Sequence, residues 1–193
     1  MSFLPLILSV KLRADDRVRQ KGGSCQFCGY EAAAWREFPL GMSDRGEGAR
    51  SCALCHLAQH LDRPEIEREA VLIWLPQITQ AALNRVVWRF YSILAEHRVG
   101  FDRRRPDGVK PEEAAGAVSL RLELKSLAAL AEREVGTSSP AALSEAFYAM
   151  SPEAYALRAR RLAGLRLLGL GRFYEEGRDI FPEFIGGSRG CSI

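Results

Sequence analysis

Two short stretches, SCQFC at Ser24 to Cys28 and SCALC at Ser51 to Cys55, constrain this chain more than anything else in it. They set Cys25, Cys28, Cys52 and Cys55 in a C-x2-C-x23-C-x2-C pattern. That spacing suits two tight turns, each presenting two sulfurs to one tetrahedral ion. A Cys-x-x-Cys turn is a good half-site because its backbone N–H groups aim at the thiolates and favour their charged form. The sequence therefore predicts one structural Zn2+ on these four residues. Two disulfides are the alternative; they require an oxidising compartment, which nothing in the sequence indicates. A thioredoxin-like redox site would need one such pair on a helix N-terminus, not two facing turns. Cys191, in a glycine-rich stretch, is expected to be a free thiol without a role.

A chain of 193 residues, 47% of them hydrophobic, can bury a sizeable core. The expected organisation is a zinc-binding unit over 1–76, a helical region packed on it over 77–168, and a partly ordered tail over 169–193. No stretch approaches the roughly 18 to 20 apolar residues needed to span a bilayer. The run FLPLILSVKL at Phe3 to Leu12 is too short for that, lacks a basic n-region and is followed by no small-residue cleavage site. It reads as a strand, and the protein as soluble and cytoplasmic. The formal charge is +3, and four thiolates on one divalent ion would bring it to about +1. Overall charge therefore gives nucleic-acid binding no help. Local basic clusters occur at Arg13, Arg17, Arg19 and Lys21, at Arg103 to Arg105, and at Arg158, Arg160, Arg161 and Arg166. Solvated faces account for such clusters more readily than an acidic partner does.

Coarse patterning places a short helix over Arg13 to Gln20, then a hairpin opened by the first knuckle with its return strand in Glu31 to Leu40, and a loop over Gly41 to Arg50. The second knuckle should start a helix carrying His56 and His60. Val71 to Leu75 reads as a buried strand stopped by Pro76. Thr79 then caps a long helix whose Leu83, Val87, Phe90, Tyr91 and Leu94 form one apolar face. Phe101 to Val109 reads as a loop, and Pro111 opens a helix running to about Glu134. Ser139-Pro140 and Ser151-Pro152 each pair an N-cap serine with proline at the first helical position.

Two facing knuckles, a hairpin and a helix leaving the second knuckle resemble a ββα-metal unit of the HNH type. The fold class expected is α+β, a zinc-stabilised HNH-like ββα unit with a helical C-terminal extension. In HNH enzymes a second, catalytic metal sits between hairpin and helix. His56 and His60 match the two helix positions of that pattern. The hairpin, Trp35-Arg36-Glu37-Phe38-Pro39, has glutamate where a histidine base belongs, and Glu47 stands nine residues before His56 where an asparagine belongs. A carboxylate of ordinary pKa near ~4 is a far weaker base than imidazole. No catalytic residues are therefore assigned. His56 and His60 are expected on the helix surface or as a cap on the knuckle, and His97 as a favourable charge at a helix C-terminus. The competing enzyme reading is a metal-dependent HNH-type nuclease with Glu37, His56 and His60 as an unusual triad.

CQFCGYEA followed by a second Cys-x-x-Cys, then LIWLPQITQAALN at Leu72 to Asn84 and GTSSPAALSEAF at Gly136 to Phe147, resembles the IcmJ/DotN component of type IVB (Dot/Icm) secretion systems. The similarity covers about Gly22 to Arg160. It implies a zinc-binding, HNH-like adaptor without nuclease activity, cytoplasmic and peripheral to the bacterial inner membrane. Its expected partners are the C-terminal tail of the coupling ATPase and other coupling-complex subunits. Direct nucleic-acid contact is not expected, and membrane association comes only through partners. The zinc ligands implied are Cys25, Cys28, Cys52 and Cys55. Related conjugation systems use similar components.

Overall fold

Each knuckle sits where a strand ends, so strand pairing decides how the first part of the chain is laid out. The computed structural model describes residues 5–10, 17–19, 23–32, 35–39 and 48–185. β1 (Arg17–Arg19) is followed by a small hairpin of β2 (Gly23–Ser24) and β3 (Glu31–Ala32), then by β4 (Trp35–Pro39) and β5 (Gly48–Ser51). β4 lies between β1 and β5 in an antiparallel sheet. The helix expected over Arg13 to Gln20 is thus corrected where it is described. Arg17, Val18 and Arg19 find ladder partners in Glu37, Arg36 and Trp35, a pairing that a helix at these residues would forgo. The expected loop over Gly41 to Arg50 is likewise a strand from Gly48 onward, and 41–47 lie outside the described residues.

Residues 5–10, expected as a strand, are extended but join no ladder among the described residues. Their polar backbone groups go elsewhere. Ser9 N–H donates to the Ala58 carbonyl at 3.1 Å and the Ser9 carbonyl accepts from Leu61 N–H at 3.1 Å, so the segment closes the end of α1 (Ala53–Gln59).

The helical part then follows. α2 (Ile66–Glu69) runs into β6 (Ala70–Trp74), and the Thr79 hydroxyl caps α3 (Gln80–Glu96) by accepting from Ala82 N–H at 3.2 Å. Leu83, Val87, Phe90, Tyr91 and Leu94 of α3 are all buried, as their spacing requires, and His97 is its C-cap residue. The long helix expected after Pro111 is two, α4 (Glu112–Ser126) and α5 (Ala128–Val135), joined at Leu127. The Leu127 carbonyl accepts from Ala131 N–H at 3.2 Å and also from Trp74 N–H of β6 at 3.3 Å. Sharing it with a strand bends the chain where composition alone gives no stop.

α6 (Pro140–Ala149) and α7 (Pro152–Ala156) begin as expected, with Ser139 and Ser151 hydroxyls accepting from Ala142 and Ala154 N–H groups. Glu67 adds to the first of these caps by accepting from Ala141 N–H at 2.9 Å and from the Ser139 hydroxyl. Ser139→Ala should therefore lower unfolding free energy by about 1 kcal/mol, the usual worth of a cap. Urea denaturation followed by circular dichroism measures it, and Ser151→Ala provides the comparison without a carboxylate.

After α8 (Arg158–Arg161) comes β7 (Leu165–Gly169), which pairs antiparallel with β6 from Trp74↔Leu165 to Ala70↔Gly169. β8 (Tyr174–Glu175), β9 (Arg178–Asp179) and α9 (Phe181–Ile185) complete the described chain. The tail expected from Gly169 is corrected as far as Ile185. Phe173, Phe181 and Phe184 are fully buried, and Phe181 meets Trp88, Tyr91 and Phe101. These scattered aromatics obey neither a helical nor a strand period, so patterning does not reveal them as core. One buried cluster runs from the knuckles through α3 to α9. None of the described helices is long and apolar enough to cross a membrane.

Candidate metal centre

The first knuckle is the tip of the β2–β3 hairpin. Cys25 N–H donates to the Tyr30 carbonyl, Gly29 N–H donates to the Cys25 carbonyl, each at 2.9 Å, and Gly29 has φ of +74°. That left-handed turn brings Cys25 and Cys28 to one side of the hairpin, and glycine adopts it without strain. In the second knuckle β5 delivers Cys52 to the N-cap position of α1, and Cys55 lies within the first turn. The knuckles are bonded to each other. Gln26 N–H donates to the Arg50 carbonyl at 3.0 Å, and Arg50 N–H donates to Gln26 Oε1 at 2.8 Å.

The structure brings Cys25, Cys28, Cys52 and Cys55 together, with all four sulfurs within 4.8 Å of one another and all four residues buried. The thiols are free, and Cys28 Sγ lies 3.6 Å from Cys52 Sγ, far beyond a disulfide bond. Four sulfurs at about 2.3 Å from one tetrahedral zinc stand roughly 3.8 Å apart, so the set fits a single ion of that kind. Two further donors complete the fit. Asn84 Nδ2 donates to Cys55 Sγ and Trp88 Nε1 donates to Cys52 Sγ, each at 3.2 Å, and both side chains are buried one turn apart on α3. N–H groups aimed at sulfur stabilise thiolate, the form a metal requires. Burial pushes the Cys52 and Cys55 thiols well above their ordinary range, while hydrogen bonds from Cys28, then Cys52 and Cys55, hold Cys25 low. A cation is what would let all four ionise together.

Trp88 is also stacked between Tyr30, at 4.3 Å, and Phe181, at 5.3 Å, both nearly parallel to it. The indole therefore ties a sulfur, the first knuckle and α9 into one packed unit. Sequence patterning passes over Asn84 and Trp88. The available signal is an amide and an indole N–H at i and i+4 on an otherwise apolar face, where each needs a buried acceptor.

The helix histidines are not on the surface, which corrects that expectation. His56 and His60 are 0% and 6% exposed and stack on each other with ring centroids 4.2 Å apart. Arg63 Nη1 lies 3.4 Å from His56 Nε2. Arginine has only donors, so in any hydrogen bond between the two Nε2 is the acceptor. The same guanidinium forms a fork on the fully buried Glu69 carboxylate, with both contacts at 2.8 Å, and covers the Phe173 ring at 4.1 Å. Tyr174 N–H donates to Glu69 Oε1 at 2.6 Å and the Tyr174 carbonyl accepts from Arg63 Nη2 at 2.8 Å. This fills the space beside His56 with a fixed cation and its counter-ion. Glu37 lies in β4 with Arg17 and Arg50 as its register partners, while Glu47 and Cys191 lie outside the described residues. The four cysteines are the one metal-ligating cluster among the described residues.

The basic clusters divide. Arg103 to Arg105, Arg160 and Arg161 are exposed, Arg158 and Arg166 are half-buried on backbone carbonyls, and Arg13 and Lys21 lie outside the described residues. Of the aromatics in α6 and α7, Phe147 is buried, Tyr155 half-buried and Tyr148 exposed. No family model matches the chain, and no curated protein sequence matches it either.

Proposed function

We propose that the chain is a non-catalytic adaptor built on a structural Zn2+ held by Cys25, Cys28, Cys52 and Cys55. The observation that carries this reading is the donor set of the centre: four buried sulfurs, the number that fills a tetrahedral ion, with Asn84 and Trp88 donating to two of them. A bound ion there supplies a cross-link between two knuckles. The residues' own work is to hold sulfur charge, exclude water and join the cysteine unit to α3. Catalytic zinc, by contrast, keeps one coordination position open.

Strand, strand and helix in the order β4, β5, α1 support reading the unit as HNH-like. In an active member of that group the His56 imidazole would face a second cation. Here an Arg63 nitrogen, its guanidinium forked on Glu69, stands 3.4 Å from the His56 Nε2 and occupies the place beside that ring nitrogen that such an ion would need. With glutamates at 37 and 47 as well, the nuclease alternative with Glu37, His56 and His60 is the weaker reading. Purified protein is expected to leave supercoiled plasmid intact in Mg2+, Mn2+ or Ni2+. Metal-dependent nicking that disappears in His56→Ala would establish the enzyme instead.

The adaptor reading takes its setting from the resemblance to the IcmJ/DotN component of type IVB secretion systems. In that setting the chain binds the coupling ATPase tail at the inner membrane and helps to receive substrates. Affinity purification from the native bacterium under gentle lysis tests it. Co-recovery of a membrane-anchored ATPase is the expected result, and recovery of nucleic acid without such an ATPase would overturn it.

A further inference from the structure

A half-open cleft of about 220 Å3 lies between the extended residues 5–10, the start of α3, and the segment from α8 into β7. Among the described residues two arginines line it and no carboxylate does. Arg158 is fixed by donating Nε–H to the Leu8 carbonyl at 3.0 Å and Nη1–H to the Tyr155 carbonyl at 2.9 Å, with its guanidinium flat on the Tyr155 ring at 3.8 Å. Arg166 is fixed in the same way, Nε to the Ile78 carbonyl at 2.6 Å and Nη1 to the Leu165 carbonyl at 2.7 Å. Among the described residues neither guanidinium has a hydrogen bond from Nη2 or an ion pair. Backbone carbonyls hold both cations in place without neutralising either.

Such an arrangement is costly without a counter-charge. Burial alone pulls the Arg166 guanidinium below its ordinary range, the mark of a cation partly removed from water with no carboxylate paired to it among the described residues. The positive end of the seventeen-residue α3, at Thr79 and Gln80, borders the same space. Leu6, Ile7 and Leu162 give the lining an aliphatic part, and Ile7 is 38% exposed. Arg160 and Arg161 stand exposed on the neighbouring turn, with Leu157 also 47% exposed.

We propose that this cleft is a docking site for an acidic peptide segment of a partner protein, one that sets a carboxylate between Arg158 and Arg166 and an aliphatic side chain against Leu6 and Ile7. The volume is below the roughly 300 Å3 at which sites for cofactors and drug-sized ligands begin, which argues against a nucleotide. The aliphatic part of the lining argues against inorganic phosphate. A peptide satisfies both parts, and pre-fixed arginines lose little freedom on binding it. The source of the peptide rests on the adaptor reading; the chemistry of the cleft does not.

Fluorescence anisotropy with the full zinc-loaded chain tests the site, using a labelled peptide of alternating leucine with glutamate or aspartate. Its isostere with glutamine and asparagine, and inorganic phosphate as competitor, are the controls. The acidic peptide should bind and the isostere should bind at least tenfold more weakly. Arg166→Gln should weaken binding by roughly 10- to 100-fold, the range of one lost charge-assisted pair. Because Arg166 also holds the Ile78 carbonyl, Ile7→Glu is the companion variant: it removes no hydrogen bond to a side chain, keeps the fold and should weaken the acidic peptide by a similar factor. Equal binding of both peptides, displacement by phosphate at the peptide's own concentration, or an Ile7→Glu protein that binds as well as wild type would overturn the proposal. If the ATPase is recovered from cells by Ile7→Glu protein as well as by wild type, the adaptor reading stands and the cleft fails. If the peptide results hold and no ATPase is recovered, the reverse is true.

Discussion

Stripping the metal is expected to unfold the protein around α1, and Cys52→Ser is expected to yield insoluble chain. Binding to a four-cysteine site of this kind contributes about 10 to 16 kcal/mol of apparent free energy near neutral pH, comparable to or larger than the whole stability of a typical domain. Cys52 is fully buried, is the N-cap residue of α1, and accepts the Trp88 N–H. Losing the ion leaves clustered sulfurs in the core beside strands too short to hold together alone. Elemental analysis should give one zinc per chain. A strong chelator should release it and abolish the near-ultraviolet circular dichroism of Trp88, which is stacked between Tyr30 and Phe181. Acid should do the same, since protons compete with the ion for thiolate. Metal-free protein with unchanged near-ultraviolet signal would contradict the structural role. Asn84→Leu, which removes one N–H···S bond and keeps the cysteines, should release zinc to a chelator faster than wild type, roughly in the 10- to 100-fold range found for outer partners of metal ligands.

Glu69→Ala is expected to destabilise the protein by about 3 to 5 kcal/mol, because it strands the Arg63 guanidinium without its buried counter-ion. The carboxylate is fully buried and serves three partners: two Arg63 nitrogens and the Tyr174 N–H. For a chain of this size that corresponds to a fall in midpoint on the order of 10 °C. Glu69→Gln keeps an acceptor for Tyr174 and should cost less. Arg63→Met in the Glu69→Ala background should recover part of the loss, since an apolar pair needs no counter-charge. Thermal and urea denaturation of wild type, Glu69→Ala, Arg63→Met and the double variant gives the coupling directly. Additive losses would mean that the fork contributes nothing as a pair.

Residues of this chain differ in how well they announce their places. The cysteine pairs, the Thr79 cap, the α3 stripe and the serine-proline helix starts are local devices, each contained in a few consecutive residues, and the structure has them where the sequence places them. What the sequence hides is set by distant partners. β1 is a strand because Trp35 to Glu37 offer it a ladder, and the α4–α5 break at Leu127 answers to Trp74. His56 and His60 look like surface histidines until Arg63 and Phe173 meet the first and the two rings stack on each other. The aromatics after Gly169 read as a loose end because none repeats at a regular interval, yet Phe181 meets two rings on α3 and Phe173 meets His56 and Phe184. Asn84 and Trp88 belong to both groups: the helix face is legible, while the acceptors lie in the knuckles.

The pairing of β6 with β7 has a consequence for how the protein is made. Trp74 leaves the ribosome long before Leu165, its ladder partner, so one edge of β6 waits while some ninety residues are synthesised. At elongation speeds of about 5 to 20 residues per second that interval is several seconds, long compared with the formation of a hairpin or helix. The knuckles are complete by Cys55 and can take up their ion within it. Newborn chains thus pass through a stage with a finished cysteine unit and an uncovered strand of Val71, Leu72 and Ile73, which is the stage at which aggregation or chaperone capture is to be expected.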